Sequence, residues 1–445
     1  MTAPAAARPD VTGATTALDD YLARRRTGHP RPPLRYLRRK PGRGLVAVFG
    51  PGDLGDIYTV TLDERTLLHL PDDAGARTGP TIQQFPVDRA LPHLAIVMAP
   101  SEHQALADVL ESTARRVHAV LPSAPLVALT AEPVRYKPGD RCVIRYRLVF
   151  GGDPASGGDG TPPRTCTLVA KLYRERGEAE AAESLLVRLR DRTGGAWTAA
   201  PLGVVPGLPL ALTEDLGSSR DPVPALSGLD LVHPGTGEAF AVVERAAAAL
   251  ADLHTSGLDL VDLPRRTGAD ESTKAAKRAA LLEQYVPDLA PGVRRLGNEL
   301  TATLASLPAD TSRPAHGSYK PSQLLVRDGA VFLVDFDQFC AADPALDVGY
   351  FLAYLRPAGL WYHRNGRRAW FEAAAEAFRS TYARSLTERG ESEATRAGIV
   401  GREPVFEAAL LLKIAARRAN RLHSPRTGEV AAILGEVSRA LASAS

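Results

Sequence analysis

The hydrophobic period of this 445-residue chain changes near residue 216, and that change limits the folds open to it. From Pro125 onward, apolar residues recur at every second position in PLVALTAEPVRY, RCVIRYRLVF and CTLVAKLY. A Pro-Gly turn, KPGD, separates the first two runs, and the Gly/Pro-rich stretch Gly151 to Pro163 separates the last two. Period two places alternate side chains on opposite faces, so the runs read as a three-stranded meander with one covered face. A charged helix over Glu178 to Arg190 follows, then short strands near Gly203 to Val205 and Leu210 to Thr213. Beyond Leu216 the period is helical, most plainly in AFAVVERAAAALADLH and FEAALLLKIAARRANRL. A sheet-rich part thus precedes a helix-rich part, joined near Thr213, Glu214 and Asp215.

The first 124 residues read separately. Met1 to Thr16 is rich in Ala, Pro and Thr and is expected to be disordered. A short helix is predicted at Leu18 to Arg26. The alternation in LVAVFG, IYTVTL and TIQQFP, broken by PGDLGD and PDDAGARTGP, predicts a small antiparallel sheet between Gly44 and Pro86. Ser101 to Val120 reads as a helix with Leu106, Val109, Leu110 and Val117 on its buried stripe. The expected division is a disordered 1–16, an accessory α+β module over 17–124, a sheet-rich lobe over 125–216 and a helical lobe over 217–445.

Charge and cysteine usage exclude some classes. The formal net charge of +3 is too small to argue for a polyanionic partner, although Arg24, Arg25, Arg26, Arg31, Arg35, Arg38, Arg39, Lys40 and Arg43 cluster near the N-terminus. That cluster reads as a solvated face, and no nucleic-acid partner is expected. Cys142, Cys166 and Cys340 form no CxxC pair, which argues against a disulfide framework or structural zinc. The first thirty residues lack the pattern of a signal peptide and no apolar run reaches membrane length, so the expected compartment is the cytoplasm.

The most informative stretch runs from His316 to Phe339, HGSYKPSQLLVRDGAVFLVDFDQF, with DPALD ending at Asp347 soon after. Leu324 to Val326 and Val331 to Val334 predict two short strands about a type I′ turn at Asp328-Gly329, with Asp335 just past the second. Such a hairpin brings polar residues from both its ends to one point. A carboxylate there suits a divalent cation held against phosphates.

HGxxxPxQLLV, then VDFD and DPALDVGYFLAYL, resembles the aminoglycoside phosphotransferase-like family of the protein-kinase-like fold, over about Pro125 to Leu355. The resemblance implies a bilobal α+β fold with a sheet-rich N-lobe and a helical C-lobe. It implies a magnesium-dependent transfer of phosphate from ATP or GTP to a small-molecule acceptor, with no membrane partner. Carried over residue by residue, Asp335 is the metal aspartate, Gln323 stands for the family's metal asparagine, and Lys171 is the nucleotide lysine. Glu183, with Glu180 as fallback, is its ion-pair partner. Gly139 lies in the turn over the phosphates, and Thr213, Glu214 and Asp215 form the adenine-binding linker. His316 and Asp347 support the catalytic loop, and His254 is a packed core histidine.

Two departures matter. Ser318 stands where the family's catalytic aspartate would accept the acceptor's proton, and a serine hydroxyl is no such base. Gln323 keeps a carbonyl acceptor but adds one methylene. Lys320, where protein kinases carry a charge-neutralising lysine, is retained. Asp337 is a second candidate for base or metal ligand, because alternate residues of an extended segment share a face. The competing reading is a catalytically impaired pseudokinase that binds a nucleotide or a partner.

Overall fold

A computed structural model describes residues 11–25, 31–40, 44–50, 57–62, 80–117, 125–151, 163–217, 226–227, 238–308, 312–356, 367–420 and 427–444. The chain divides into two compact units. One comprises Met1–Glu183, Pro201–Asp215 and Asn420–Pro425, the other Ser184–Ala200, Leu216–Ala419 and Arg426–Ser445.

The first unit opens with helix α1 (Val11–Arg24), followed by strands β1 (Leu34–Lys40), β2 (Gly44–Phe49), β3 (Tyr58–Leu62) and β4 (Thr81–Gln84), paired in that order as an antiparallel sheet. Ala14, Leu18 and Leu22 of α1 pack on Leu37, Leu45, Phe49 and Val60. The helix therefore begins seven residues earlier than the sequence predicts, and 11–16 is ordered by burial of Ala14. Of the N-terminal basic cluster, Arg26 and Arg43 lie outside the described residues, as do most of PGDLGD and PDDAGARTGP. Arg31 pairs with Asp19 at 2.6 Å, and Arg25 lies 4.9 Å from the Tyr21 ring.

Helices α2 (Leu94–Met98) and α3 (Gln104–Val117) come next, then β5 (Leu126–Lys137), β6 (Arg141–Phe150), β7 (Arg164–Leu172), helix α4 (Arg176–Thr193), β8 (Pro201–Val204) and β9 (Leu210–Glu214). The five strands make a sheet of order β5-β6-β7-β9-β8, antiparallel throughout. Buried and less buried positions alternate along β6 and most of β7. Cys142, Ile144, Tyr146, Leu148 and Phe150 of β6 face Cys166, Leu168, Ala170 and Leu172 of β7, all buried. Leu94, Val97, Leu106 and Leu110 cover that face, and the Tyr146 hydroxyl donates to the Val97 carbonyl at 2.9 Å. Residues 94–117 thus pack with the sheet of residues 126–214. The module boundary expected at 124 falls inside one core, because a sheet with one apolar face needs a cover and these helices supply it.

The second unit carries β10 (Leu226–Ser227), α5 (Glu238–His254), β11 (Arg265–Arg266), α6 (Gly268–Tyr285), α7 (Ala290–Ala305), β12 (Arg313–Ala315), β13 (Leu324–Arg327), β14 (Ala330–Leu333), β15 (Cys340–Ala342), α8 (Ala345–Leu355), α9 (Arg367–Glu388), α10 (Glu393–Ala419) and α11 (Thr427–Ala442). Helices pack in pairs, α6 with α7, α5 with α9, and α10 with α8, α6 and α11. Two small sheets, β10-β13-β14 and β11-β15-β12, sit against this core. Gly349 lets α8 approach α10 closely, since a Cβ there would lie 2.6 Å from the Glu407 nitrogen. None of the described helices is long and apolar enough to cross a membrane.

Candidate active site

Leu324 pairs with Leu333 and Arg327 with Ala330, leaving Asp328 and Gly329 as a two-residue turn with φ of +51° and +76°. Both central residues of a type I′ turn must be left-handed, which is why Asp-Gly serves here. That register brings the hairpin's ends together, and the Val334 N–H donates to the Gln323 carbonyl at 3.0 Å. Asp335 then takes a left-handed conformation itself (φ 68°, ψ 57°) and starts a 3-10 turn at Phe336–Gln338. Non-glycine residues seldom adopt this region, and they concentrate at functional sites.

This bend corrects the expectation for Asp337. Alternation requires extended backbone, and the segment is not extended. Asp337 instead lines a cleft of about 450 Å³ with Arg265, Arg266, Asp270, Lys274 and Lys277.

Ser318, Gln323 and Asp335 form a continuous hydrogen-bonded chain. The Gln323 Nε2 group donates to Asp335 Oδ2 at 3.1 Å and to Ser318 Oγ at 3.2 Å. Ser318 Oγ lies 3.4 Å from His316 Nδ1, and His316 Nε2 lies 3.2 Å from the Val334 carbonyl. A carbonyl only accepts, so Nε2 carries the proton, and His316 Nδ1 and Gln323 Oε1, the latter at 3.3 Å, are the two acceptors within reach of the Ser318 hydroxyl. Burial holds the His316 imidazole below its ordinary pKa, which keeps it neutral. Gln323 presents its amide nitrogen to Asp335 in this arrangement, the opposite end from the one that ligates a cation. Among the described residues no group of three His, Cys, Asp or Glu side chains is placed to hold a metal ion.

Asp347 holds the loop from beneath. It accepts the His316 N–H at 2.6 Å and the Tyr319 N–H at 3.4 Å, and its Oδ2 lies 3.5 Å from His254 Nε2. His254 Nδ1 in turn lies 2.6 Å from the Tyr382 hydroxyl. Burial raises the Asp347 carboxyl, but the His254 hydrogen bond and the nearby imidazoles outweigh it and leave the group below the usual range. Gly317, at φ +71°, admits no side chain: a Cβ would stand 2.0 Å from the Gln338 carbonyl oxygen.

Two supports were not legible as site residues. Arg266 donates to the Gly317 carbonyl at 2.5 Å and to Glu271 at 2.6 Å. Glu271, fully buried, also takes Lys274 at 2.7 Å, and against the cost of burial these hydrogen bonds bring its carboxyl down to about 2. The readable signal was local: Thr267 and Asp270 form a capping box that starts α6. Nothing in that motif points fifty residues ahead to Gly317.

Lys320, in the same loop, lies 5.6 Å from the Tyr354 ring, and the other candidates lie in the first unit. Lys171 shares the half-buried face of β7 with Val169 and Tyr173, and its ammonium lies 5.2 Å from the Tyr173 ring. Glu183 is half-buried on α4, while Glu180 is taken by Arg176 at 2.7 Å. Gly139 sits at φ +70° in the β5–β6 turn, and its N–H donates to Asp88 Oδ2 at 2.7 Å rather than outward. Asp88 also accepts the Tyr136 hydroxyl at 2.7 Å and the Ala90 N–H at 2.9 Å. Thr213 and Glu214 end β9, pairing with Val169 and Leu168, and Asp215 is bound by Arg145 at 2.6 Å.

With this geometry in view, residues 160–394 match the model of the phosphotransferase enzyme family. That span is more than half of the chain, which therefore belongs to this family and has its kinase-like fold. Among solved structures the chain is similar to a glucosamine kinase in complex with glucosamine, ADP and inorganic phosphate (17% identity, 99% of each chain, TM-score 0.47). It is also similar to a putative aminoglycoside phosphotransferase from Ralstonia eutropha (15% identity, 76% of this chain and 98% of that one, TM-score 0.48). A third is an amicoumacin kinase in complex with AMP-PNP, Ca2+ and its ligand (15% identity, 76% and 96%, TM-score 0.46). No curated protein sequence matches.

Proposed function

We propose that this phosphotransferase moves the terminal phosphoryl group of ATP or GTP to a hydroxyl of a small molecule, with magnesium held through Asp335 and Gln323. The observation that carries the reading is the hydrogen-bonded chain Asp335–Gln323–Ser318 at the mouth of the β13–β14 hairpin. Its donor atoms suit magnesium, which takes oxygen ligands, commonly one or two carboxylates plus phosphate oxygens. A half-turn of the Gln323 amide presents Oε1 beside Asp335 and completes that set. Bound there, the cation withdraws charge from the phosphate oxygens. Lys320 of the same loop is the residue assigned to neutralise the phosphates.

The missing carboxylate base is the main departure. Phosphoryl transfer depends chiefly on positioning and electrostatics, and base assistance is worth about 10²–10⁴-fold. Ser318 retains a smaller share of that help. As the acceptor hydroxyl loses its proton to Ser318 Oγ, the Ser318 proton passes to His316 Nδ1, and the acceptor oxygen bonds to phosphorus as the nucleotide's bridging oxygen leaves. Lone serine cannot do this, but a serine hydrogen-bonded to a neutral imidazole can.

The test is turnover of Mg-ATP and Mg-GTP over a panel of sugars and amino alcohols, for wild type, Ser318→Asp and Ser318→Ala. The expected result is slow transfer by wild type, an increase of about tenfold or more in Ser318→Asp, and a further loss in Ser318→Ala. Nucleotide binding with no turnover in any variant would instead assign the impaired, nucleotide-binding alternative.

A further inference from the structure

We infer that the acceptor carries an anionic group, a carboxylate or a phosphate, and that the basic face of α10 at Lys413 and Arg417, beside Lys320, is where that group is held. This deepens the phosphotransferase reading of the Ser318 loop and rests on it. The basic run in α10 has an ordinary explanation, that its arginines and lysine coat an amphipathic helix, but a coating cation stands in water. Lys413 does not: its side chain is mostly buried.

Lys413 and Arg417 are four residues apart and share a helix face. So do Tyr350 and Tyr354 on α8, whose rings stack at 5.9 Å and 10°. The Lys413 ammonium donates to the Tyr350 hydroxyl and lies 4.5 Å from that ring, and Arg417 donates to the Tyr354 hydroxyl at 2.9 Å. The catalytic loop contributes Lys320, 5.6 Å from the Tyr354 ring. Arg266 stands 5.8 Å from the Tyr350 ring while gripping Gly317. Arg278 of α6 donates to the Ala409 carbonyl at 3.2 Å on α10. Cations from α6, β11, α10 and the catalytic loop thus surround one pair of tyrosines, and the loop's own cation, Lys320, follows Ser318 by two residues.

Glu271 is a carboxylate felt by Arg266 and Arg278, and Arg266 and Lys274 already hold it. Burial first, then the charges of Arg417, Arg278, Arg266 and Lys320, bring the Lys413 ammonium down to about 6. Lys413 is therefore mostly neutral near pH 7, and an anion seated among these side chains draws a proton onto it. A polycationic acceptor would meet repulsion here.

Three sugars of one ring size that differ in charge test this: D-glucuronate, D-glucose and D-glucosamine, with inorganic phosphate as a fourth probe, titrated calorimetrically at pH 7 in buffers of different ionisation enthalpy. Glucuronate or phosphate is expected to bind at least about tenfold more tightly than glucose or glucosamine, with proton uptake, and the exposed-site variant Arg417→Gln to weaken it by about tenfold or more. Lys413→Met is expected to abolish the proton uptake and to raise Tm, since it removes a desolvated cation. Equal or tighter binding of glucosamine or glucose, or no binding of either anion, overturns the inference. So does indifference to Arg417→Gln, or a lower Tm in Lys413→Met. Mg-ATP titration of the same proteins separates the two readings. If ATP fails to bind wild type, the phosphotransferase reading fails while the anion result stands by itself; if Arg417→Gln weakens ATP, the cluster belongs to the nucleotide.

Discussion

Each compact unit holds a candidate functional turn by one buried aspartate, and the two do so differently. In the second unit Asp347, fully buried, gathers two backbone N–H groups of the His316–Tyr319 loop and a histidine. In the first, Asp88 gathers the Gly139 N–H, the Ala90 N–H and the Tyr136 hydroxyl from half-buried surroundings. Asp347 fixes a loop that must place Ser318 and Gln323 against Asp335 to within a bond length. Asp88 closes a hairpin turn whose strands are already paired. The first anchorage is therefore indispensable to geometry, and the second adjusts it.

The largest expected effect is at Asp347. Asp347→Ala strands two buried N–H donors and His254, a loss of about 3–5 kcal/mol in denaturant unfolding, with nucleotide binding lost as well. A loss under about 1 kcal/mol would remove the distinction between the two anchors.

Next is acid sensitivity of the same unit. Glu271 and Asp347 are both depressed in the folded protein. A depressed carboxylate contributes stability that is present above its unfolded pKa and is lost as pH falls through the folded one. For Glu271 that window runs from 4.5 down to about 2 and corresponds to about 3 kcal/mol. Glu271→Gln should flatten the stability-pH curve there, and an unchanged slope would show that the Arg266–Glu271 pair does not stabilise the loop.

Gly317→Ala should follow, at about 2–3 kcal/mol, from left-handed strain plus the clash with the Gln338 carbonyl. Turnover should fall more than stability does, because the same shift moves Ser318. Smallest is Asp88→Ala, expected at about 1–2 kcal/mol, since Tyr136 can turn to water. Amide exchange at Gly139 should quicken in that variant. Equal effects of Asp88→Ala and Asp347→Ala would contradict the contrast.

What was legible in the sequence follows the same division. The β13–β14 hairpin could be read because Asp-Gly fixes its own turn, and the β5–β6–β7 meander because period two and one covered face determine each other. Local chemistry dictated both. Asp335's left-handed backbone could not be read, since an aspartate takes that conformation only when its surroundings impose it, and Asp337 was misplaced in consequence. Asp88 and Arg266 act across about fifty residues of sequence on backbone groups, which leave no side-chain pattern to find. Ser318 was visible as a departure, but its bond to His316 was not.

We propose that nucleotide and metal meet at the loop carrying Ser318, Gln323 and Asp335. Calorimetric titration of ATP with and without magnesium, for wild type and Asp335→Ala, tests it most directly. Binding is expected to depend on magnesium and to weaken by about a hundredfold or more in Asp335→Ala. ATP binding that ignores magnesium, or that survives Asp335→Ala unchanged, would contradict it.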